Sequence, residues 1–135
     1  MVLWNRFFRA GTVEDYISRR AIRASYAKKA GTDGRDDVKE IAQKARLGDR
    51  AASQVFDELA DDLGELLGDI LPGLGSGSLI LGGQISLSGD LFAPRLQAQL
   101  SCPLVLSAHP DAAALIGCAR FAAMGGAQGA ERVVR

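Results

Sequence analysis

Ser78-Leu79-Ile80-Leu81-Gly82-Gly83-Gln84-Ile85-Ser86-Leu87-Ser88-Gly89-Asp90-Leu91-Phe92 is the stretch that decides the fold. Leu79, Ile80 and Leu81 are apolar at consecutive positions, the pattern of a strand covered on both faces rather than one alternating between core and water. The run stops at Gly82 and Gly83. Two missing side chains let a ligand or another backbone come close, and ligands in open α/β sheets bind at the carboxyl ends of strands. The same pair also suits a plain tight turn, and isolated glycines do not separate the two readings.

Downstream, Ser88 is placed to cap a helix from Gly89 to Leu100, in which Pro94 must lie in the first turn or kink the helix. Pro103 opens a second apolar strand, Leu104-Val105-Leu106-Ser107, and Asp111 opens a last helix reaching Met124. The order strand, helix, strand, helix predicts two parallel neighbours joined by a right-handed crossover, with helices covering the sheet. Gly117 lies among small residues and predicts close helix-to-sheet packing. Two strands alone leave unpaired edges. A strand from the N-terminal arm, a homodimer or a companion lobe is therefore expected.

Upstream, Met1 to Ala10 gives no helix or strand pattern and is read as an arm. Thr12 is a candidate N-cap with Asp15 near the capping-box position. The helix it opens carries Val13, Tyr16, Ile17, Ala21, Ile22 and Tyr26 on one face, and ends near Ala30 before Gly31 and Gly34. A shorter helix from Asp36 or Asp37 to Arg46 buries Val38, Ile41, Ala42 and Ala45. Gly48 breaks it, and Asp49 caps the strongest repeat, Arg50 to Leu71. Its Val55, Phe56, Leu59, Leu63, Leu66, Leu67 and Ile70 contribute on the order of 10 kcal/mol on burial, before the entropy of ordering is subtracted. Asp57, Glu58, Asp61, Asp62, Glu65 and Asp69 read as its solvated face rather than as a metal site. Pro72, Gly73, Gly75 and Gly77 form a connection into the Leu79 strand.

The chain has 135 residues, with 16 basic and 16 acidic side chains and no net charge. That length suits one domain with a real core, and the balance offers no footprint for nucleic acid or an anionic membrane. The N-terminal stretch, interrupted by Arg6 and Arg9, is too short for a span or a signal peptide. Cys102 and Cys118, the two cysteines, lack metal spacing and read as buried reduced thiols of a cytoplasmic protein. His109, before Pro110, reads as a loop residue.

Four segments together carry a family resemblance. Gly48-Asp49-Arg50-Ala51-Ala52 with the helix that follows, Leu79 to Ser86, and Asp111 to Ala119 resemble the C-terminal part of the ROK family. That family comprises bacterial sugar kinases and sugar-responsive repressors on the actin-like ATPase fold. Gly11 to Ser18 resembles the segment that follows the family's zinc-binding cysteines and carries a sugar-contacting glutamate. The resemblance runs from about Gly11 to Ala123. It implies a helix-rich α/β fold, a partial actin-like ATPase (ribonuclease H-like) C-terminal lobe with a small parallel sheet covered by helices. Residues 1–10 are then an arm, 11–125 the half-lobe and 126–135 a loose tail.

The resemblance assigns sugar binding to Glu14 and contact with the adenosine side of a nucleotide to Gly82 and Gly83, with ATP and Mg as cofactors. The implied reaction is transfer of the ATP γ-phosphoryl group to a sugar hydroxyl. The family's Asp-x-Gly-Gly-Thr phosphate loop and catalytic aspartate are not found, however, and no catalytic residue is assigned. Arg9 and Ala10 stand where zinc-binding cysteines are expected, so zinc is not expected in this chain. Gln84 replaces a common third glycine, and Arg19 a common glycine after the serine. The chain alone is therefore expected not to catalyse the reaction. A sugar- or nucleotide-binding regulator and a structural oligomerising module are the alternatives. No helix-turn-helix segment precedes Gly11, so DNA binding is not expected.

Overall fold

The computed structural model describes residue 3, residues 5–75 and 77–109, and residues 112, 116, 118 and 119. In chain order the elements are β1 (Phe7–Phe8), β2 (Gly11–Thr12), α1 (Val13–Ile17), α2 (Arg19–Ala30), α3 (Val38–Arg46) and α4 (Arg50–Leu74). β3 (Leu79–Leu81), a 3₁₀ segment (Gln84–Ser88), α5 (Gly89–Gln97) and β4 (Leu104–Leu106) follow.

The long repeat becomes α4, the axis on which the other helices pack. Asp49 caps it, accepting from the Ala52 amide at 2.8 Å. Ala52, Val55, Phe56, Leu59 and Ala60 meet Ile22 and Tyr26 of α2, Ile41 and Ala42 of α3, and Phe92 and Leu96 of α5 in the main core. Further along, Leu66 and Ile70 bury Phe8 and Val13, while Leu67 and Leu71 bury Cys102. Gly64 lets the chain after α5 come close, because a Cβ there would run into the Gln99 side chain. α3 also matches expectation: Asp37 caps it, and Val38, Ile41, Ala42 and Ala45 are buried.

The expected single helix from Thr12 to Ala30 is two. Ser18 leaves the helical region (φ −88°, ψ 165°) and its hydroxyl accepts from the Ala21 amide, capping α2 afresh. A serine side chain competes for backbone donors in this way. α4 also runs past the expected stop at Leu71: Pro72 lies inside it, and Gly75 ends it with φ 58°. α5 ends at Gln97, short of Leu100. Gln97 instead clips the following loop, donating to the Cys102 carbonyl at 3.1 Å and accepting from the Leu104 amide at 2.6 Å. Asp62 departs from its solvated row and is buried.

β3 and β4 pair in parallel, with Leu79 opposite Leu104, Ile80 opposite Val105 and Leu81 opposite Leu106. Leu81 and Leu104 pack on the main core. Ile80, however, is 67% exposed and Val105 47% exposed. The strand expected to be covered on both faces is covered on one among the described residues. The expected last helix lies mostly outside those residues, as does the tail. Cys102 is buried as expected, but Cys118 is exposed. Rather than joining the β3–β4 sheet, the arm, read as having no strand pattern, supplies β1, which pairs antiparallel with β2 just beyond it, Phe8 opposite Gly11.

Candidate functional site

Glu14 lies in the first turn of α1, where its charge favours the helix start, beside an aspartate that makes the capping hydrogen bonds. Asp15 Oδ2 accepts from the Thr12 amide at 2.9 Å and the Thr12 hydroxyl at 2.8 Å. Its Oδ1 accepts from Arg20 Nη2 at 2.8 Å. The Thr12 bonds, with Arg20, hold the Asp15 carboxyl below the usual carboxylate range. Glu14 is exposed and has no partner among the described residues. A free carboxylate offers only acceptors and can take two hydroxyl donors at once.

Gly83 is required by the backbone itself. Its φ of 80° and ψ of 177° fall in a region essentially closed to residues with a side chain. The Gly83 carbonyl accepts from the Ser86 amide at 3.1 Å and the Ser86 hydroxyl at 2.7 Å, turning the chain from β3 into the 3₁₀ segment. Gly82 is different: a Cβ there would meet only Ser107 Cβ, at 3.9 Å.

A cleft of about 470 Å³ opens where α2 and α3 face the 3₁₀ segment, lined by Arg19, Lys39, Gln43, Arg46, Gln84 and Leu87 among others. Two ion pairs fix its walls. Arg19 Nη2 lies 2.8 Å from Asp37 Oδ1 and holds that carboxyl low. Arg46 grips Asp90 with Nε at 2.8 Å and Nη2 at 2.6 Å, tying α3 to α5 and lowering the Asp90 carboxyl. Two-point pairs of this kind fix direction as well as distance. The side chains of Lys39 and Gln43, one helical turn apart on α3, have no partner among the described residues.

The structure does not bring the three candidate residues into one cavity. Glu14 is not a lining residue of the cleft, and neither glycine is; the lining begins at Gln84, next in the chain. Lys39 and Gln43 escaped the sequence reading, although their four-residue spacing beside the Val38, Ile41 and Ala42 stripe is the signal that marks them. The contact of Arg9 with Asp62 and Glu65 was missed too. Asp62 stands three residues after Leu59 and four before Leu66, which places it on the buried stripe.

A helix-rich α/β lobe with a parallel strand pair carries its glycine turn at the carboxyl end of the first strand, the end at which open α/β sheets place ligands. The sequence profile of the ROK family matches residues 9–135, and the chain belongs to that family. Among solved structures, it is similar to a ROK family glucokinase from Streptomyces griseus in complex with glucose and AMPPNP. That match has 24% identity and a TM-score of 0.72, over 85% of this chain and 45% of that one. A Cytophaga hutchinsonii protein assigned as a sugar kinase matches at 22% identity and TM-score 0.77, over 90% of this chain and 47% of that one. A ROK hexokinase from Thermus thermophilus matches at 17% and 0.64, over 87% and 43%. These likenesses show the fold, that of part of an actin-like ATPase. The chain spans under half the length of each of these structures. No curated protein sequence matches it. No helix among the described residues is long and apolar enough to cross a membrane.

Proposed function

We propose that this chain contributes the sugar-contacting carboxylate and part of the nucleotide site of an ATP-dependent sugar kinase working in the cytoplasm. Glu14 accepts hydrogen bonds from sugar hydroxyls. The turn at Gly82 and Gly83 takes the adenosine side of the nucleotide, with the cleft beginning at Gln84 beside it. The observation that carries this reading is the pairing at the start of α1, where Asp15 caps the helix and Glu14 is left exposed and unpartnered among the described residues. Lys39 and Gln43 give the cleft an anion-attracting group and an amide suited to a nucleotide.

Phosphoryl transfer needs held phosphates, a metal and a group that orients the attacking hydroxyl. Among the described residues no three carboxylate, histidine or cysteine side chains gather to hold a metal. Mg in phosphoryl-transfer sites is held by one or two carboxylates together with the substrate phosphates, so it would enter with the nucleotide rather than sit in a cage of side chains. The chain binds both ligands, and transfer requires residues from a companion lobe. Ile80 and Val105, facing one way and uncovered among the described residues, favour such a lobe or a second copy.

Titration calorimetry with glucose and other hexoses, and separately with ADP and Mg, tests this. Glu14→Gln should weaken sugar binding more than tenfold but keep it measurable, and leave the nucleotide signal, whereas Gly82→Leu should spare sugar binding and abolish the nucleotide signal. Sugar binding unweakened by Glu14→Gln refutes the carboxylate's role. Sustained ADP release from ATP and sugar by this chain alone refutes the need for a companion, and a stable dimer that binds neither ligand points to an oligomerising module.

A further inference from the structure

We infer that Arg9 is a positioning residue for the Glu14 carboxylate, fixing the hairpin and α1 as one unit against α4; this rests on the sugar-contact reading of Glu14. Arg9 is the single non-glycine residue with positive φ among the described residues, at 51°. An L side chain persists there when its surroundings over-determine it. The surroundings are a guanidinium clamp. Nη1 lies 2.6 Å from Asp62 Oδ1, Nε lies 3.2 Å from Glu65 Oε2, and Nη2 also bonds Glu65. The same guanidinium stacks 4.9 Å from the Phe8 ring centre and 5.6 Å from that of Tyr16.

The rings carry the constraint to Glu14. Phe8 and Tyr16 meet edge to face at 5.2 Å, the Tyr16 hydroxyl accepts from the Ala10 amide at 3.3 Å, and the Val13 amide donates to the Arg6 carbonyl at 3.0 Å. Tyr16 is two residues from Glu14 on a helix of five. A helix that short does not hold its own geometry in water. Burial of Phe8 and Val13 against Leu66 and Ile70 keeps the unit on α4, but apolar contact is non-directional. The forked guanidinium on two α4 carboxylates supplies direction, and thereby the direction in which Glu14 projects.

The test compares Arg9→Met, which keeps an apolar stem on the two rings, with Arg9→Lys, Glu14→Gln and the Arg9→Met/Glu14→Gln pair. Glucose and ADP affinities are read by calorimetry, and backbone amides by hydrogen exchange. Arg9→Met should weaken glucose binding roughly tenfold, leave ADP binding unchanged, and add nothing in the Glu14→Gln background, as two residues acting through one group do. Amides of residues 7–17 should exchange faster while those of α3 and α5 stay protected. Arg9→Lys should recover part of the affinity. Full glucose affinity in Arg9→Met, where Glu14→Gln has lost it, overturns the inference; so does an equal loss of glucose and ADP binding, the mark of general destabilisation. If Glu14→Gln binds glucose normally, the sugar reading fails by itself. Exchange then judges the clamp alone, and unchanged α1 amides in Arg9→Met overturn it.

Discussion

The two glycines at the end of β3 should respond oppositely to the same small change. At Gly83, with φ 80° and ψ 177°, an alanine is forced into a region reserved for glycine, at a cost of about 1–3 kcal/mol. At Gly82 the added Cβ finds Ser107 Cβ at 3.9 Å, an ordinary contact. There the alanine chiefly removes freedom from the unfolded chain and stabilises by about 0.4–1 kcal/mol where the backbone accepts it. The two variants should therefore differ by roughly 1.5–4 kcal/mol. Across 135 residues the entropy of unfolding is about 0.3 kcal/mol per degree, so the gap in Tm is roughly 5–13 °C. Urea and thermal unfolding followed by far-ultraviolet circular dichroism, without ligand, measure it. Equal midpoints would refute the backbone argument for Gly83. The outcome also governs how binding data are read, because lost nucleotide binding in a Gly83 variant then reports the turn, whereas Gly82 reports the ligand.

Gly64→Val should lower stability by about 1–3 kcal/mol, the usual cost of overpacking, because its Cβ meets the Gln99 side chain, whose own Cβ stands 3.1 Å away. An unchanged urea midpoint would refute that close approach. Acid should destabilise the chain through Asp61 and Asp90, whose carboxyls Arg95 and Arg46 hold below the usual value. Groups so depressed stabilise above their unfolded value, and that stability is lost as pH falls below about 4. Both pairs are about half exposed, so solvent screening keeps the contribution of each small. The Asp61→Asn/Asp90→Asn variant should show a shallower acid slope, and an equal slope would refute the assignment. Asp62 runs the other way: burial raises its pKa despite Arg9, so its ionisation costs stability as pH rises through the folded value. A carboxyl ¹³C titration placing Asp62 below the usual Asp value would overturn this.

Much of the helical framework was legible because its signals are local. Asp37 and Asp49 each precede an apolar three-four repeat, and each caps the helix that repeat forms. The break at Ser18 was not legible, since Val13, Tyr16, Ile17, Ala21 and Ile22 keep one helical period across it. The hydroxyl that ends the period competes for a single amide, a contest the pattern does not record. The strand was legible by position but not by cover. Three consecutive apolar residues state that both faces want burial, not what buries them, and Ile80 is left exposed among the described residues. The hairpin was invisible for a third reason: Arg9 adopts its turn through contacts with residues more than fifty positions away.

Within the candidate site, adjacent residues of similar chemistry divide structural and unexplained roles. Asp15 is accounted for by the Thr12 bonds and Arg20, Gly83 by its backbone angles, and Asp37 by capping α3 and pairing with Arg19. Their neighbours are not accounted for in this way. Glu14 could shorten or lose its charge, Gly82 could gain a methyl group, and Lys39 could become neutral, without breaking a contact described here. Contacts therefore give no reason for a carboxylate, a bare backbone and a cation at these positions, and leave Glu14 only the modest attraction of a first-turn carboxylate to the start of α1. A residue type that the fold does not require is informative when its placement suits a ligand: acceptors for hydroxyls, close approach for a ring, positive charge for phosphate. For that reason binding measurements on Glu14, Gly82 and Lys39 discriminate function from folding, and the same measurements on Asp15, Gly83 and Asp37 cannot.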